Sequence, residues 1–148
     1  MLKPCRWIES VMAGVLLAAL NAPLAAQQQA ESPSVATAGL EVFLTAGADS
    51  AIAVWLGGAT FDTPATRASL GQGFARMAEQ RGRMLGYDVV RVLPIGTHVR
   101  RVYAVLHYEE APAYLYLELY RAPGGWVTQA VEFNADPGDV FPPGLLEP

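Results

Sequence analysis

The sequence predicts an α+β domain, with N-terminal helices packed on one face of a curved four-stranded antiparallel sheet. Three observations carry that expectation. Apolar residues recur every three to four positions between Val35 and Leu85, and every second position from Tyr87 to Asn134. The second stretch is interrupted by short turns containing Pro and Gly, so its strands are joined as hairpins. Helices followed by hairpin-linked strands are the chain order of α+β domains, not of alternating parallel-sheet folds.

The first element is a signal. Residues 1–26 combine a basic start (Met1-Leu-Lys-Pro-Cys-Arg6), an apolar run (Val11–Leu20) and the small residues of Asn21-Ala-Pro-Leu-Ala-Ala26. That order is a secretory signal peptide cut near Ala26. Its apolar run is shorter than the roughly 20 residues that cross a bilayer. The expected product is exported, periplasmic or secreted, and keeps no membrane anchor after cleavage. Residues 27–34, polar and carrying Pro33, read as a disordered leader. The domain itself spans 35–135.

In the first helix Leu40, Phe43 and Leu44 share a face, and in the second Ile52, Trp55 and Leu56 do. The break between them is Ala46-Gly47-Ala48-Asp49, with Asp49 placed to cap the second helix and Gly57-Gly58 to end it. Thr63 and Pro64 open a third helix, and Gly86 is expected just past its end. Leu70, Phe74, Met77 and Leu85 would line its apolar face. Gly71 and Gly73 weaken that helix by about 1 kcal/mol each relative to alanine, and close packing is their expected reason.

Strands are predicted at Tyr87–Leu93, Thr97–Glu109, Ala113–Arg121 and Trp126–Asn134. Pro94–Gly96, Glu110–Pro112 and Ala122–Gly125 supply the turns. Residues 136–148 are too rich in Pro and Gly for a regular element and read as an extended tail anchored by Phe141.

Two segments carry a family likeness. Phe43-Leu-Thr-Ala-Gly-Ala-Asp-Ser-Ala-Ile-Ala-Val-Trp-Leu56 resembles the helix–turn–helix opening of the nuclear transport factor 2-like superfamily, the cystatin-like α+β cone. Gly125-Trp126-Val127, with Phe133 eight residues after the glycine, resembles its last strand. The likeness covers Val35 to Asn134 and implies a cone-like sheet. That group includes isomerases, dehydratases, small-ligand binders and exported domains without known activity, so the fold alone does not name a function.

Composition removes several function classes. Cleavage after Ala26 leaves 122 of the 148 residues, with 8 basic and 13 acidic side chains. A net charge of −5 is a poor match to nucleic acid, whose binding rests on neutralised phosphates. Cys5 is the only cysteine and leaves with the signal, so no disulfide forms in the mature chain. No clustered ligand pattern points to a metal, and no motif points to a cofactor.

Alternation sorts the strand residues onto two faces. Val102, Ala104, Leu106, Leu115, Leu117, Leu119, Val127, Val131 and Phe133 form an apolar set expected to pack on the helices. The other set holds Arg101, Tyr103, His107, Glu109, Tyr114, Tyr116, Glu118, Tyr120, Trp126, Thr128 and Glu132. Aromatics and arginine are what interfaces concentrate, so this face is expected to meet a second copy of the chain, a ligand or another protein. A local bulge would exchange some members of the two sets.

For chemistry, the candidates are His107 as general acid–base with Glu118 or Glu132, helped by Tyr103 or Tyr116. His98 sits nine residues from His107 and would point to the other face. The helix side of the sheet is apolar, apart from Asp62 and Asp88 at element starts. The leading expectation is therefore an exported, non-enzymatic domain that binds a small apolar ligand or a protein partner in the cell envelope. The alternatives are a small lyase or isomerase using His107 with a carboxylate, and a structural accessory protein of the envelope.

Overall fold

The computed structural model describes residues 32–145. The expected signal peptide, most of the expected leader and the last three residues lie outside that range. Three helices, α1 (Ser34–Ala46), α2 (Ala48–Leu56) and α3 (Pro64–Arg81), precede four strands. These are β1 (Met84–Ile95), β2 (Val99–Tyr108), β3 (Pro112–Ala122) and β4 (Gly125–Asn134). The strands pair antiparallel in sequence order as one meander. The result is the expected α+β architecture, with helices on one face of a curved sheet.

Helix boundaries follow local chemistry. Thr63 caps α3 by accepting the Thr66 amide at 3.1 Å, and Pro64 occupies the first turn. Asp49 does not cap α2; Gly47 takes the cap position without a side-chain bond, and Asp49 lies in the first turn. There its charge still suits the helix N-terminus. The third helix stops four residues before the expected end, because Gly82 at φ +79° leaves the helix with its amide on the Ala78 carbonyl. Leu85 thus belongs to β1, at a register irregularity, and not to the helix face. At the other end, Pro33 is buried and Ser34 is already helical, so both belong to the packed domain and not to the leader expected over 27–34.

The core lies between the helices and the inner sheet face. Phe43, Trp55 and Phe74 form an aromatic cluster, and Phe74 stacks on Phe133 of β4 with ring centroids 3.9 Å apart. The Trp55 indole N–H donates to the Ala36 carbonyl at 3.3 Å, which satisfies its buried polar atom. Two glycines permit these approaches. A Cβ on Gly39 would collide with the Trp55 indole, and one on Gly73 with the Phe133 ring. Close packing is indeed the reason for Gly73.

The apolar set on β2 and β3 is buried as expected, from Val102 to Leu119. On β4 the parity changes halfway. Glu118 pairs with Ala130 but Leu119 with Thr128, leaving Gln129 as an extra residue. This bulge turns Trp126 and Thr128 toward the helices and Val127 outward. Trp126 packs against the core and carries the Arg100 guanidinium over its ring at 5.4 Å. Trp126 is therefore not part of the outer face.

Candidate functional site

The strand registers arrange the outer face in rungs. One end carries Ile95–Val99–Tyr120–Val127, followed by Leu93–Arg101–Glu118–Ala130 and then Arg91–Tyr103–Tyr116–Glu132. Asp88–Val105–Tyr114–Asn134 comes next. Arg101 Nε and the Tyr116 hydroxyl both donate to Glu118 Oε2, each at 2.8 Å. The Arg101 bond, with help from Tyr116, holds the Glu118 carboxyl below the usual carboxylate range. Burial, together with the bond to Glu118, pushes the Tyr116 phenol up. These groups form a closed polar network.

The tail then packs onto one end of this face. After a short 3-10 turn at Pro137–Asp139, Phe141 packs edge-on against Tyr103 and Tyr114, with centroids 5.6 and 5.3 Å away. Phe141 is the anchor the sequence suggested, and it leaves Tyr103 only 3% exposed. What stays open is the other end, where Tyr120 of β3 is 43% exposed and Leu93 and Ile95, two strands away on β1, are 38% and 41% exposed. The surface offered to a second copy is thus smaller than the alternation implies.

The acid–base candidates are not brought together. His107 Nε2 lies 2.8 Å from Asp88 Oδ2, across the β1–β2 pair on the outer face. Glu118 is opposite Arg101, six residues or about 20 Å along β2 from His107. Glu132 is exposed opposite Tyr116. The partner of His107 is therefore Asp88, expected on the helix side as an element-start residue but placed by the β1–β2 register on the outer face. Asp62 is held by Arg67 through two bonds of 2.6 and 2.7 Å at the start of α3. His98 lies in the β1–β2 turn, bonded to Thr97 at 2.7 Å.

A different site lies on the helix side. A cavity of about 920 Å³, open to solvent, is bounded by the α1–α2 corner, α3 and the starts of β1 and the end of β2. Its size falls within the roughly 300–1,000 Å³ of small-molecule sites. Phe43, Phe74 and Met84 provide buried apolar walls. Leu44 and Leu85, 40% and 53% exposed, form apolar lips. Gly71, Ala75 and Ala78 of α3 and Gly82 just past its end recur at helical spacing along this wall; a Cβ on Gly71 would come 3.2 Å from Asp49 Oδ1, and one on Gly82 would run into Glu109. Asp49, Arg83 and Tyr108 are its ionisable lining residues.

This cavity was missed because its wall is defined by side chains too small to register as an apolar stripe. The legible signal was the spacing of those four small residues opposite Ala46-Gly47-Ala48. Among the described residues no cluster of His, Cys, Asp and Glu suits a metal ion, and no helix is long and apolar enough to cross a membrane. No protein-family model matches the chain, and neither a curated protein nor a solved structure matches it.

Proposed function

We propose that this chain is an exported, non-enzymatic binding domain that takes a small, mainly apolar ligand into the cavity between α1–α2, α3 and the sheet. The observation that carries this reading is the pair of exposed leucines, Leu44 and Leu85, at the mouth of an aromatic-walled cavity. Exposed leucines beside a cavity give an apolar ligand continuous contact from rim to floor. Export is supported by the N-terminal order of basic, apolar and small residues. The resemblance of Phe43–Leu56 and Gly125–Val127 to the nuclear transport factor 2-like superfamily, which includes small-ligand binders, supports a binding role.

Titration with an environment-sensitive apolar dye tests the reading. Ala75→Trp, at an exposed position of the α3 wall, fills the mouth with little demand on the core. The expected result is dye binding by the wild type and its loss in the variant, with the melting temperature kept. A dye that binds both proteins equally overturns the assignment. Fractionation of expressing cells tests export, which predicts a product shortened near Ala26 outside the cytoplasm.

The open end of the outer face favours a second reading. Ile95, Val99, Tyr120 and Val127 form one apolar rung across all four strands, a surface suited to an envelope protein or another copy of the chain.

A further inference from the structure

Charge is segregated along the sheet. Residues 89–108 and 119–131, which include the β1–β2 and β3–β4 turns at one end, contain four arginines and no Asp or Glu. The opposite end is acidic, with Asp88 on β1, Glu109 and Glu110 in the β2–β3 turn, and Asp136 and Asp139 just after β4. Between them Glu118 is held by Arg101 at 2.8 Å. The ten residues of β2 set the two ends about 33 Å apart. Screening acts over about 8–10 Å in physiological salt, so the acidic end does not cancel the basic one.

The basic end is also where apolar surface stays open. On its outer side Ile95 and Tyr120 are 41% and 43% exposed, in one rung with Val99 and Val127. Its other side carries Arg100, Arg121 and Trp126. Arg121 is opposite Trp126 in register, and its amide donates to the His98 carbonyl at 2.8 Å, which seats it against the β1–β2 turn. Arg100 donates to the Gly96 and Val99 carbonyls and lies over the Trp126 ring. Neither guanidinium meets a carboxylate among the described residues. Asp62, four residues past the Gly58 that stands beside Val127, is taken up by Arg67.

We propose that this end of the sheet docks on the surface of an anionic lipid bilayer, with Ile95 and Tyr120 entering the headgroup boundary and Arg100 and Arg121 meeting lipid phosphates. Unpaired cations beside a tyrosine, a tryptophan and a short apolar strip are the residues that bilayer interfaces hold. Size favours lipid over protein. One rung of side chains less than half exposed falls short of the roughly 800 Å² per partner of a stable protein interface. Shallow insertion needs only a few apolar groups and the attraction of opposite charges, and it is reversible. The cavity lies at the start of β1 and the end of β2, so docking by the opposite end leaves it open to solvent. The proposal is independent of what the cavity binds.

The test is flotation of the protein, in the form that expressing cells accumulate, with two kinds of vesicle. One is pure phosphatidylcholine and the other is equal parts phosphatidylcholine and phosphatidylglycerol. Wild type is expected to float with the anionic vesicles and to stay in solution with the neutral ones. Arg121→Gln should cut the partition by about fivefold, as the loss of one basic group at an anionic surface implies. Arg76→Gln removes the same charge from an exposed position on α3 and should leave the partition unchanged. Ile95→Ser should weaken binding with the melting temperature kept. Equal loss in Arg121→Gln and Arg76→Gln would mean that net charge alone acts, and would overturn the docking site. Equal binding to both vesicles, or to neither, overturns it as well. If binding to neither is joined by self-association that Ile95→Ser abolishes, the occupant of the rung is a second copy of the chain.

Discussion

Leu117 and Tyr116 are adjacent in β3, yet they point to opposite faces of the sheet. Leu117 is fully buried at the centre of the inner face, so Leu117→Ala is expected to cost about 2–5 kcal/mol through the cavity it leaves. Tyr116 is half-buried and touches Tyr103 and Glu118, so Tyr116→Ala should cost less than half as much. Denaturant unfolding of both variants checks the ranking, and a larger loss for Tyr116 would invert the face assignment. Glu118 makes a pH prediction of definite sign. Its folded value is depressed by Arg101 and Tyr116 from the ordinary 4.5. The stability it contributes is present above pH 4.5 and is lost as pH falls through the lower folded value. Glu118→Gln should therefore be less stable than wild type at neutral pH, with a shallower loss on acidification. The carboxylate is partly exposed, which keeps the effect small. A measured acid limb identical in the two proteins would remove Glu118 from the network.

The elements differ in how far local chemistry determined them. Thr63-Pro64 starts α3 as written, because capping and a fixed proline φ act within one turn. The end of that helix was placed four residues late, since both Gly82 and Gly86 are plausible stops. Gly82 takes the left-handed conformation because the hairpin contacts it brings follow at once: the Glu109 amide bonds the Arg83 carbonyl and the Glu110 amide bonds the Arg81 carbonyl. The β4 bulge was foreseen only as a general hazard, and its position at Gln129 depends on the pairing with β3. The tail carries the prediction at this scale. Phe141 covers Tyr103 and Tyr114, so truncation after Ala135 uncovers a continuous aromatic surface on two central strands. The truncated chain is expected to self-associate at micromolar concentrations where the full chain stays smaller by light scattering. Equal masses for the two would mean that the tail does not guard this face.

At the scale of the whole molecule, the sheet separates two surfaces of different character. The inner side ends in a cavity bounded by small residues, and the outer side divides into a tail-covered end and an apolar rung. Alternation along the strands was enough to read the α+β class, the strand order and the buried set on β2 and β3, because the period of a pleat acts locally and does not depend on partners. The N-terminal order of basic, apolar and small residues, on which the export proposal rests, is likewise a property of linear sequence. Other features arise only when distant segments meet. The pairing of His107 with Asp88, the inward turn of Trp126, the cover of Phe141 and the cavity beside Tyr108 each join residues from different elements. Strand alternation states which face a side chain takes, whereas its neighbour on that face is decided by register. A cavity is decided by what no side chain fills. That is why the sequence alone determined the architecture of this protein, and only the tertiary structure decided where its cavity lies.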